Sequence, residues 1–274
     1  MLELKGKTAL VTGASSGIGR EIARVLARED MARLVLVARR KERLDDLAAE
    51  LTTEYPGLHV MVRPVDLADR DATSGLLDQL EVEGVEIDVL INNAGLAAYG
   101  PFVESPWEKT LQTIEVNVVA PTALLQRLLP RMVKRGAGAV LNVGSSAGSF
   151  PSPSLGVYAS SKAYINMLNE VLVAELSGTG VVVTALLPGP VETEFRDVSG
   201  ADRPAPLPRA FWVTAKDVAE QAVSGLKAGR ARVVPGGAML GAVLAVEAVP
   251  KALLRPILKQ AAKRLKSRPG GESA

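Results

Sequence analysis

Short apolar segments alternate along the chain with segments of helical periodicity, and this alternation constrains the fold more than any other feature. The apolar runs lie at 8–13, 33–39, 58–66, 88–95, 138–144, 181–189 and 231–236. The helical segments lie at 17–28, 41–54, 69–83, 107–135, 156–177 and 214–228. Runs rich in Val and Leu are typical of parallel strands covered on both faces. The pattern therefore predicts an α/β fold, a doubly wound sheet of about seven mostly parallel strands with helices on both faces.

Two stretches depart from this rhythm. Residues 190–213 form a long, proline-rich stretch with three large aromatic residues, which is typical of a lid or of a disordered segment. Residues 238–274 are first apolar and then basic, with seven Lys or Arg and one acidic residue after Pro250. We predict one domain over 1–237, including the loop, and a C-terminal extension over 238–274. Three interpretations of the extension stay open: a cover for a pocket or oligomer interface, a basic amphipathic helix on an anionic membrane surface, or a solvated tail.

Composition excludes several kinds of site. The chain has no Cys, which rules out disulfides, thiol nucleophiles and cysteine-based metal sites. Its single His, His59, cannot supply the several ligands of a metal site, so we predict no metal and a structural or surface position for His59. A net charge of +2 without basic runs interleaved with aromatics predicts no nucleic-acid partner. The absence of an apolar leader or a long apolar stretch predicts a cytoplasmic protein.

The stretch "TGASSGIGR" at 12–20 follows the first strand and opens the first helix. Gly13, Gly17 and Gly19 permit a tight turn and a close approach of the backbone to a ligand. The N–H groups of the new helix favour an anion such as pyrophosphate. The spacing is G-x-x-x-G-x-G rather than G-x-G-x-x-G, so a tight turn without ligand is the alternative.

The end of the second strand reads "VLVARRKER" and indicates which dinucleotide is bound. A carboxylate here would accept the ribose 2′-hydroxyl of NAD, whereas an arginine attracts the 2′-phosphate of NADP. Because Arg39 and Arg40 stand at this place, we predict NADP(H), with NAD(H) as the second possibility. The alternative is a solvated basic helix start.

Taken together, the motifs closely resemble the short-chain dehydrogenase/reductase family. The matching pieces are "TGASSGIG" (12–19), "NNAG" (92–95), Asn117 in "VNVVAP", "NVGSSAG" (142–148), "YASSK" (158–162) and "PGPVET" (188–193). They occur in the order of the family and cover about 12–193. The resemblance implies a Rossmann sheet, a nicotinamide cofactor and hydride transfer between a carbonyl and an alcohol.

The resemblance also assigns residues to the cofactor. The glycines would line the diphosphate, Ser15 would lie near the adenosine ribose, Asp66 would meet the adenine and Lys162 would hold the nicotinamide ribose. Pro188 and Thr193 would lie beside the nicotinamide and its phosphates. With Arg39 added, the predicted cofactor residues are Gly13, Ser15, Gly17, Ile18, Gly19, Arg39, Asp66, Asn93, Tyr158, Lys162, Pro188 and Thr193.

The catalytic set implied by the family is Asn117, Ser145, Tyr158 and Lys162. Two serines are adjacent, and the family spacing of thirteen residues before the tyrosine selects Ser145. Gly144 departs from the family pattern, which often has a serine there. Asn117 would hold a water that links Lys162 to solvent.

Tyr158 and Lys162 are four residues apart and project from one helix face. A nearby cation favours the phenolate. Lowering the pKa of a tyrosine by about three units requires roughly 4 kcal/mol, which a partly desolvated Lys162 plus the positive charge of the nicotinamide could supply. Tyr158 would then be the general acid/base. An ordinary exposed helix pair is the alternative for these two residues, and a non-catalytic nicotinamide-binding redox sensor is the alternative for the protein.

The expected partners are a small carbonyl or alcohol substrate and further copies of the chain. Phe195, Phe211 and Trp212 in the 190–213 loop suggest an apolar or bulky substrate, although they could equally pack the loop onto the domain. Members of the family commonly form homodimers or homotetramers, and the helices predicted at 107–135 and 156–177 could serve as the interface. Peripheral membrane contact through the C-terminal tail is the further possibility.

Overall fold

The computed structural model describes residues 2–195 and 208–266. Within these ranges one sheet has seven strands: β1 (Thr8–Thr12), β2 (Arg33–Ala38), β3 (His59–Pro64), β4 (Val89–Asn92), β5 (Gly138–Val143), β6 (Val181–Leu186) and β7 (Arg232–Val233). The strand order is β3-β2-β1-β4-β5-β6-β7, and each neighbouring pair is parallel. The predicted seven-stranded doubly wound sheet is confirmed.

The described helices alternate with the strands. They are α1 (Gly17–Ala27), α2 (Lys41–Glu54), α3 (Arg70–Val82), α4 (Trp107–Ile114), α5 (Ala120–Lys134), α6 (Gly156–Glu175), α7 (Ala215–Lys227), α8 (Gly237–Glu247) and α9 (Lys251–Lys266). A π-helical segment, Glu115–Val119, joins α4 to α5, where the sequence predicts one continuous helix over 107–135.

Apolar side chains alternate between the two faces of the sheet. In β2, Leu34 and Leu36 join the core that α1, α2 and α7 cover, whereas Val35 and Val37 join the core that α3, α5 and α6 cover. All four are fully buried. Because both faces are covered, the strands need apolar residues at every position, which accounts for the continuous Val and Leu runs.

The strand order places the candidate site. Strands β2 and β3 follow β1 on one side of the sheet, whereas β4 to β7 follow on the other side of β1. The direction in which strands are added therefore reverses between β1 and β4. Ligands of open parallel sheets bind in the crevice at the carboxyl ends of the strands beside such a reversal. The loops after β1, β4 and β5 all open at this edge, and the predicted site motifs lie on them.

The side chain of Thr214 caps the start of α7. The Thr214 side-chain oxygen accepts a hydrogen bond from the Asp217 backbone N–H at 3.1 Å, and the Thr214 hydroxyl donates to the Asp217 carboxylate at 2.7 Å. This pairing satisfies one of the backbone donors that a helix start leaves free. The single histidine, His59, is exposed on β3, in agreement with a surface position.

The C-terminal extension forms two helices. Helix α8 packs against residues 146–149 and 209–211, and its Met239 and Val243 are buried. Its last residue, Glu247, accepts hydrogen bonds from Ser149 and Arg232, each at 3.0 Å. These contacts favour the interpretation of this part as a cover over the loops at the sheet edge. In the described ranges no single helix has the length and apolarity to cross a bilayer; α8 and part of α9 meet that test only together, across a 110° bend.

Candidate active site

The glycine-rich turn forms a backbone cradle between β1 and α1. Gly13 and Gly17 have φ angles of +67° and +55°, which L side chains rarely adopt. Ser16 occupies the N-cap of α1 without a side-chain capping bond, and the first turn holds no acidic residue. The start of α1 therefore presents backbone N–H donors and a positive dipole end to an anion.

The loop after β4 is fastened to this turn. The Thr12 hydroxyl oxygen accepts hydrogen bonds from the backbone N–H groups of Asn93 at 2.9 Å and Ala94 at 3.0 Å. The Asn93 side-chain amide donates to the Thr12 carbonyl at 2.8 Å. A Cβ on Gly19 would lie 2.3 Å from that amide nitrogen, so this position needs glycine. Ile18, which the sequence includes in the site, packs partly buried against the core.

Two arginines follow β2, and the structure separates their roles. Arg39 lies 4.0 Å from the carboxylate of Asp66, the residue expected at the adenine. Arg40 reaches the glycine turn, where its guanidinium donates to Ser15 Oγ at 3.2 Å and Ser16 Oγ at 2.9 Å. The sequence singles out Arg39, and the structure adds Arg40 as the arginine in direct contact with the turn.

Ser145, Tyr158 and Lys162 come together at the same edge. Ser145 follows β5 and is 7% exposed, and Lys162 on α6 is 4% exposed. The Lys162 ammonium donates to the Val143 carbonyl at 2.7 Å and lies 5.9 Å from the Tyr158 ring centroid. Ser145 lies close enough to Tyr158 for its hydroxyl to favour the phenolate. The serine that the thirteen-residue spacing selects therefore lies beside the tyrosine, and its catalytic role stays a prediction.

Burial sets the pKa values of the two titrating groups. It lowers the pKa of Lys162 from 10.5 to about 8, because the charged form loses hydration. It also raises the pKa of Tyr158 above its ordinary value, and the contact with Ser145 offsets this only in part. Without a nucleotide, desolvation of Tyr158 thus outweighs the contact with Ser145. The lowering expected from Lys162 together with the positive charge of a bound nicotinamide stays a prediction.

Asn117 lies in the middle of the π-helical segment and is 1% exposed. Its side chain accepts from the Leu96 N–H and donates to the Leu96 carbonyl, both at 2.8 Å, and donates to Ser161 Oγ at 2.9 Å. Single π-turns inside helices are frequent at functional sites. Here the π-turn turns Asn117 toward the loop after β4 and toward α6. The water expected between Asn117 and Lys162 stays a prediction.

Asn166 is a site residue that the sequence analysis misses. Its amide donates to the Ser145 carbonyl at 3.1 Å, and a Cβ on Gly144 would lie 1.9 Å from its Oδ1. Any side chain at position 144, where the family often has a serine, would therefore clash with Asn166 in its present position. The spacing could have indicated Asn166, because it follows Lys162 by four residues and therefore lies on the same face of the helix.

A chain of buried amides supports the site from beneath, and the sequence analysis misses two of its members. Asn92 donates to Asn142 Oδ1 at 3.0 Å, and Asn142 donates to Asn169 Oδ1 at 3.2 Å. Asn169 then donates to the Ala231 carbonyl at 3.1 Å. The chain links β4, β5 and α6 to the residue before β7.

The segment after β6 closes the far side of the site. The Pro188 carbonyl accepts a hydrogen bond from the Ser146 N–H at 3.0 Å, and Met239 of α8 packs against Gly189. The Phe195 ring lies 5.6 Å from the Tyr158 ring. Residues 196–207 of the predicted loop lie outside the described residues. Phe211 and Trp212 belong to the part of the loop after them, and Val213 pairs with Val191.

These residues fit an anionic dinucleotide. The start of α1 has no side-chain cap, and the glycines of the turn before it leave room for a diphosphate. The Arg40 guanidinium beside this turn suits a further phosphate. The Lys162 ammonium has three donors, and its hydrogen bond to the Val143 carbonyl uses one of them, which leaves donor capacity toward a ribose hydroxyl.

Comparison with known proteins gives one consistent family. The sequence profile of short chain dehydrogenases matches residues 7–204. A short chain dehydrogenase of Pseudocercospora fijiensis is 43% identical over 195 residues, 70% of this chain and 62% of the relative. A very-long-chain 3-oxoacyl-CoA reductase of Anas platyrhynchos is 34% identical over 212 residues, 75% of this chain and 66% of the relative. The chain thus spans less than two thirds of the length of these two relatives.

Solved structures extend the likeness over almost the whole chain. A short-chain dehydrogenase from Sphingobium yanoikuyae in complex with NADPH has a TM-score of 0.77 and 31% identity, covering 98% of both chains. A short chain dehydrogenase/reductase from Burkholderia phymatum in complex with NAD has a TM-score of 0.77 and 26% identity, covering 100% of both. The profile match and the shared fold lead to one conclusion: the chain belongs to the short-chain dehydrogenase/reductase family.

Proposed function

We propose that this chain is an NADP(H)-dependent oxidoreductase that interconverts a carbonyl and an alcohol, with Tyr158 as general acid/base. One observation carries the proposal: Ser145, Tyr158 and Lys162 meet at the carboxyl edge of the sheet, beside the glycine turn. A protein that only senses nicotinamide has no need of this complete set, so the set favours turnover over sensing.

The side chains have separate tasks. A bound nicotinamide supplies the hydride in reduction and accepts it in oxidation. Tyr158 gives its phenolic proton to the carbonyl oxygen in reduction and takes the alcohol proton in oxidation. Ser145 donates a hydrogen bond to the same oxygen and fixes its position. Lys162 stabilises the phenolate, because its buried ammonium is poorly screened by water.

The choice of NADP(H) rests on the arginines after β2. Arg40 contacts two serines of the glycine turn, and Arg39 lies beside Asp66 at the expected adenine position. No carboxylate stands at the end of β2, where NAD-binding sites use one for the ribose hydroxyls. The likeness to a structure in complex with NADPH agrees with this choice, and the likeness to one with NAD makes a direct comparison of both nucleotides necessary.

The proposed substrate is an apolar or bulky carbonyl compound. Phe195 packs on Tyr158, and Met239 of α8 lies against Gly189, so apolar groups flank the reacting position. The 34% identical relative that is a very-long-chain 3-oxoacyl-CoA reductase supports the same class.

We also propose a homodimer or homotetramer. Tyr164, Met167 and Val171 are 39%, 66% and 42% exposed on α6, and their spacing of three and four residues forms one apolar strip. The strip lies on one of the helices predicted for the interface. The cytoplasmic location and the peripheral membrane contact of the tail stay predictions.

The experiment that tests the function combines binding and turnover. Purified protein is titrated with NADPH and with NADH by fluorescence, and then assayed on bulky ketones with the preferred nucleotide. We expect tighter binding of NADPH. Tyr158→Phe should keep that affinity and lose turnover by at least about a hundredfold, because proton transfer by a positioned side chain contributes about 10²–10⁴ in rate. Full activity in this variant would refute the assignment of Tyr158.

A further inference from the structure

Glu194, five residues after Gly189, places a carboxylate at the arginines that follow β2. Its Oε2 accepts from Arg40 Nη1 at 3.0 Å, and both of its oxygens accept from Arg43 Nη1 at 2.6 Å. The other amino group of Arg40 contacts Ser15 and Ser16 of the glycine turn. A chain segment from beyond β6 thus reaches across the site and binds the guanidinium groups beside the turn.

A carboxylate and a phosphate ester compete for such a guanidinium, because both present oxygen acceptors to its planar fork. The contacts from Arg43 and Arg40 also lower the pKa of Glu194, so that its carboxylate is ionised at neutral pH. The pairs are partly exposed, with side-chain exposures of 41–45%, so a ligand can displace them.

The neighbours of Glu194 touch two other parts of the site. A Cβ on Gly17 would lie 3.2 Å from Thr193 Cγ2, so Thr193 packs close to the glycine turn. The Phe195 ring lies 5.6 Å from the Tyr158 ring. Three consecutive residues, 193–195, therefore contact the turn, the arginines and the acid/base tyrosine.

We propose that Glu194 is an internal competitor for the 2′-phosphate of NADP(H), and that displacement of its carboxylate by this phosphate moves Phe195 relative to Tyr158. The inference rests on the proposed function, since it requires the nucleotide at the glycine turn. It adds a property that the cofactor assignment does not contain: the 2′-phosphate changes the surroundings of Tyr158, whereas NAD(H), which lacks this phosphate, leaves Glu194 on its arginines.

The first test is the affinity for each nucleotide after Glu194→Gln. Removing the competing charge should lower the dissociation constant of NADPH about three- to tenfold and leave that of NADH within about twofold. The matched control is Glu192→Gln, because Glu192 lies in the same segment but accepts from Arg209 at 2.6 Å instead. The control should change neither constant. Unchanged or weaker NADPH binding in Glu194→Gln would overturn the proposal.

The second test reports on residue 195 without nicotinamide. Phe195→Trp is titrated with 2′,5′-ADP and with 5′-AMP, and the change in tryptophan emission is compared with that of the unsubstituted protein. We expect a change with 2′,5′-ADP only, and no such difference when Glu194→Gln is added. Equal responses to the two nucleotides would overturn the coupling. If the unsubstituted protein binds neither NADPH nor NADH, the proposed function fails as well; if it binds NADPH, only this inference is at stake.

Discussion

Lys162 should make the folded protein less stable at neutral pH than a neutral residue of similar shape would. Its ammonium is 4% exposed, and burial lowers its pKa from 10.5 to about 8. A lysine whose pKa falls on folding destabilises the native state while it is charged, that is, below the folded pKa. This loss of stability disappears as the pH rises from about 8 toward 10.5. In that range the unfolded chain still binds the proton and the folded chain does not, so raising the pH favours the folded state.

The size of the effect follows from these two pKa values. By linkage, the loss of stability caused by the buried charge is about 3 kcal/mol at pH 7 and about 2 kcal/mol at pH 9. Lys162→Met removes this loss but also removes the hydrogen bond that the neutral amine makes to the Val143 carbonyl, which contributes about 0.5–1.5 kcal/mol at either pH. The difference in stability at pH 7 therefore combines two terms, and the informative quantity is its change with pH.

The assay is urea unfolding followed by circular dichroism, at pH 7 and pH 9, without nucleotide. The stability of Lys162→Met relative to the unsubstituted protein should fall by about 1 kcal/mol between pH 7 and pH 9. The control, Lys216→Met, removes a lysine that is exposed on α7 and should show no comparable change. A relative stability of Lys162→Met that is constant or rises with pH would refute the reasoning from burial.

Two further predictions concern residues around the site and the fold. Gly144→Ala should destabilise the protein by about 1–3 kcal/mol, because its Cβ would lie 1.9 Å from Asn166 Oδ1; adding Asn166→Ser should recover part of this loss in urea unfolding, and additive losses would contradict a direct clash. Thr214→Ala should cost about 1 kcal/mol by removing the cap of α7, measured in the same way, and a loss under about 0.2 kcal/mol would show that the cap contributes little.

The sequence predicts the sheet well because its signal is local. Each strand is an apolar run between amphipathic helices, but β2 is apolar from residue 34 onward, so only the fold shows which of its side chains meets which helices. The break at Asn117 could not be predicted in this way. Residues 107–135 have helical periodicity throughout, and the π-turn depends on contacts with Leu96 and Ser161, which are distant in sequence.

The sequence predicts which residues belong to the site more completely than it predicts which atoms they contact. The spacing of Ser145 and Tyr158 selects a serine that lies beside the tyrosine in the fold. Arg39 and Arg40 are adjacent in sequence, however, and only the folded chain shows that Arg40 contacts the glycine turn. The raised pKa of Tyr158 depends on how deeply the ring is covered. Neither property is encoded in a local motif.

The chain of buried amides under the site has a consequence for the uniqueness of the fold. Apolar contacts between α6 and the sheet tolerate small rotations of the helix, since Leu and Ile surfaces have no direction. The amides of Asn142 and Asn169 do have direction: turning α6 by one residue, about 100°, would separate Asn169 from both Asn142 and the Ala231 carbonyl and leave polar atoms buried without partners. The hydrogen bonds of Asn169 thus fix the rotation of α6 about its axis. They thereby also fix the direction in which Tyr158, three turns earlier on the same helix, faces the crevice.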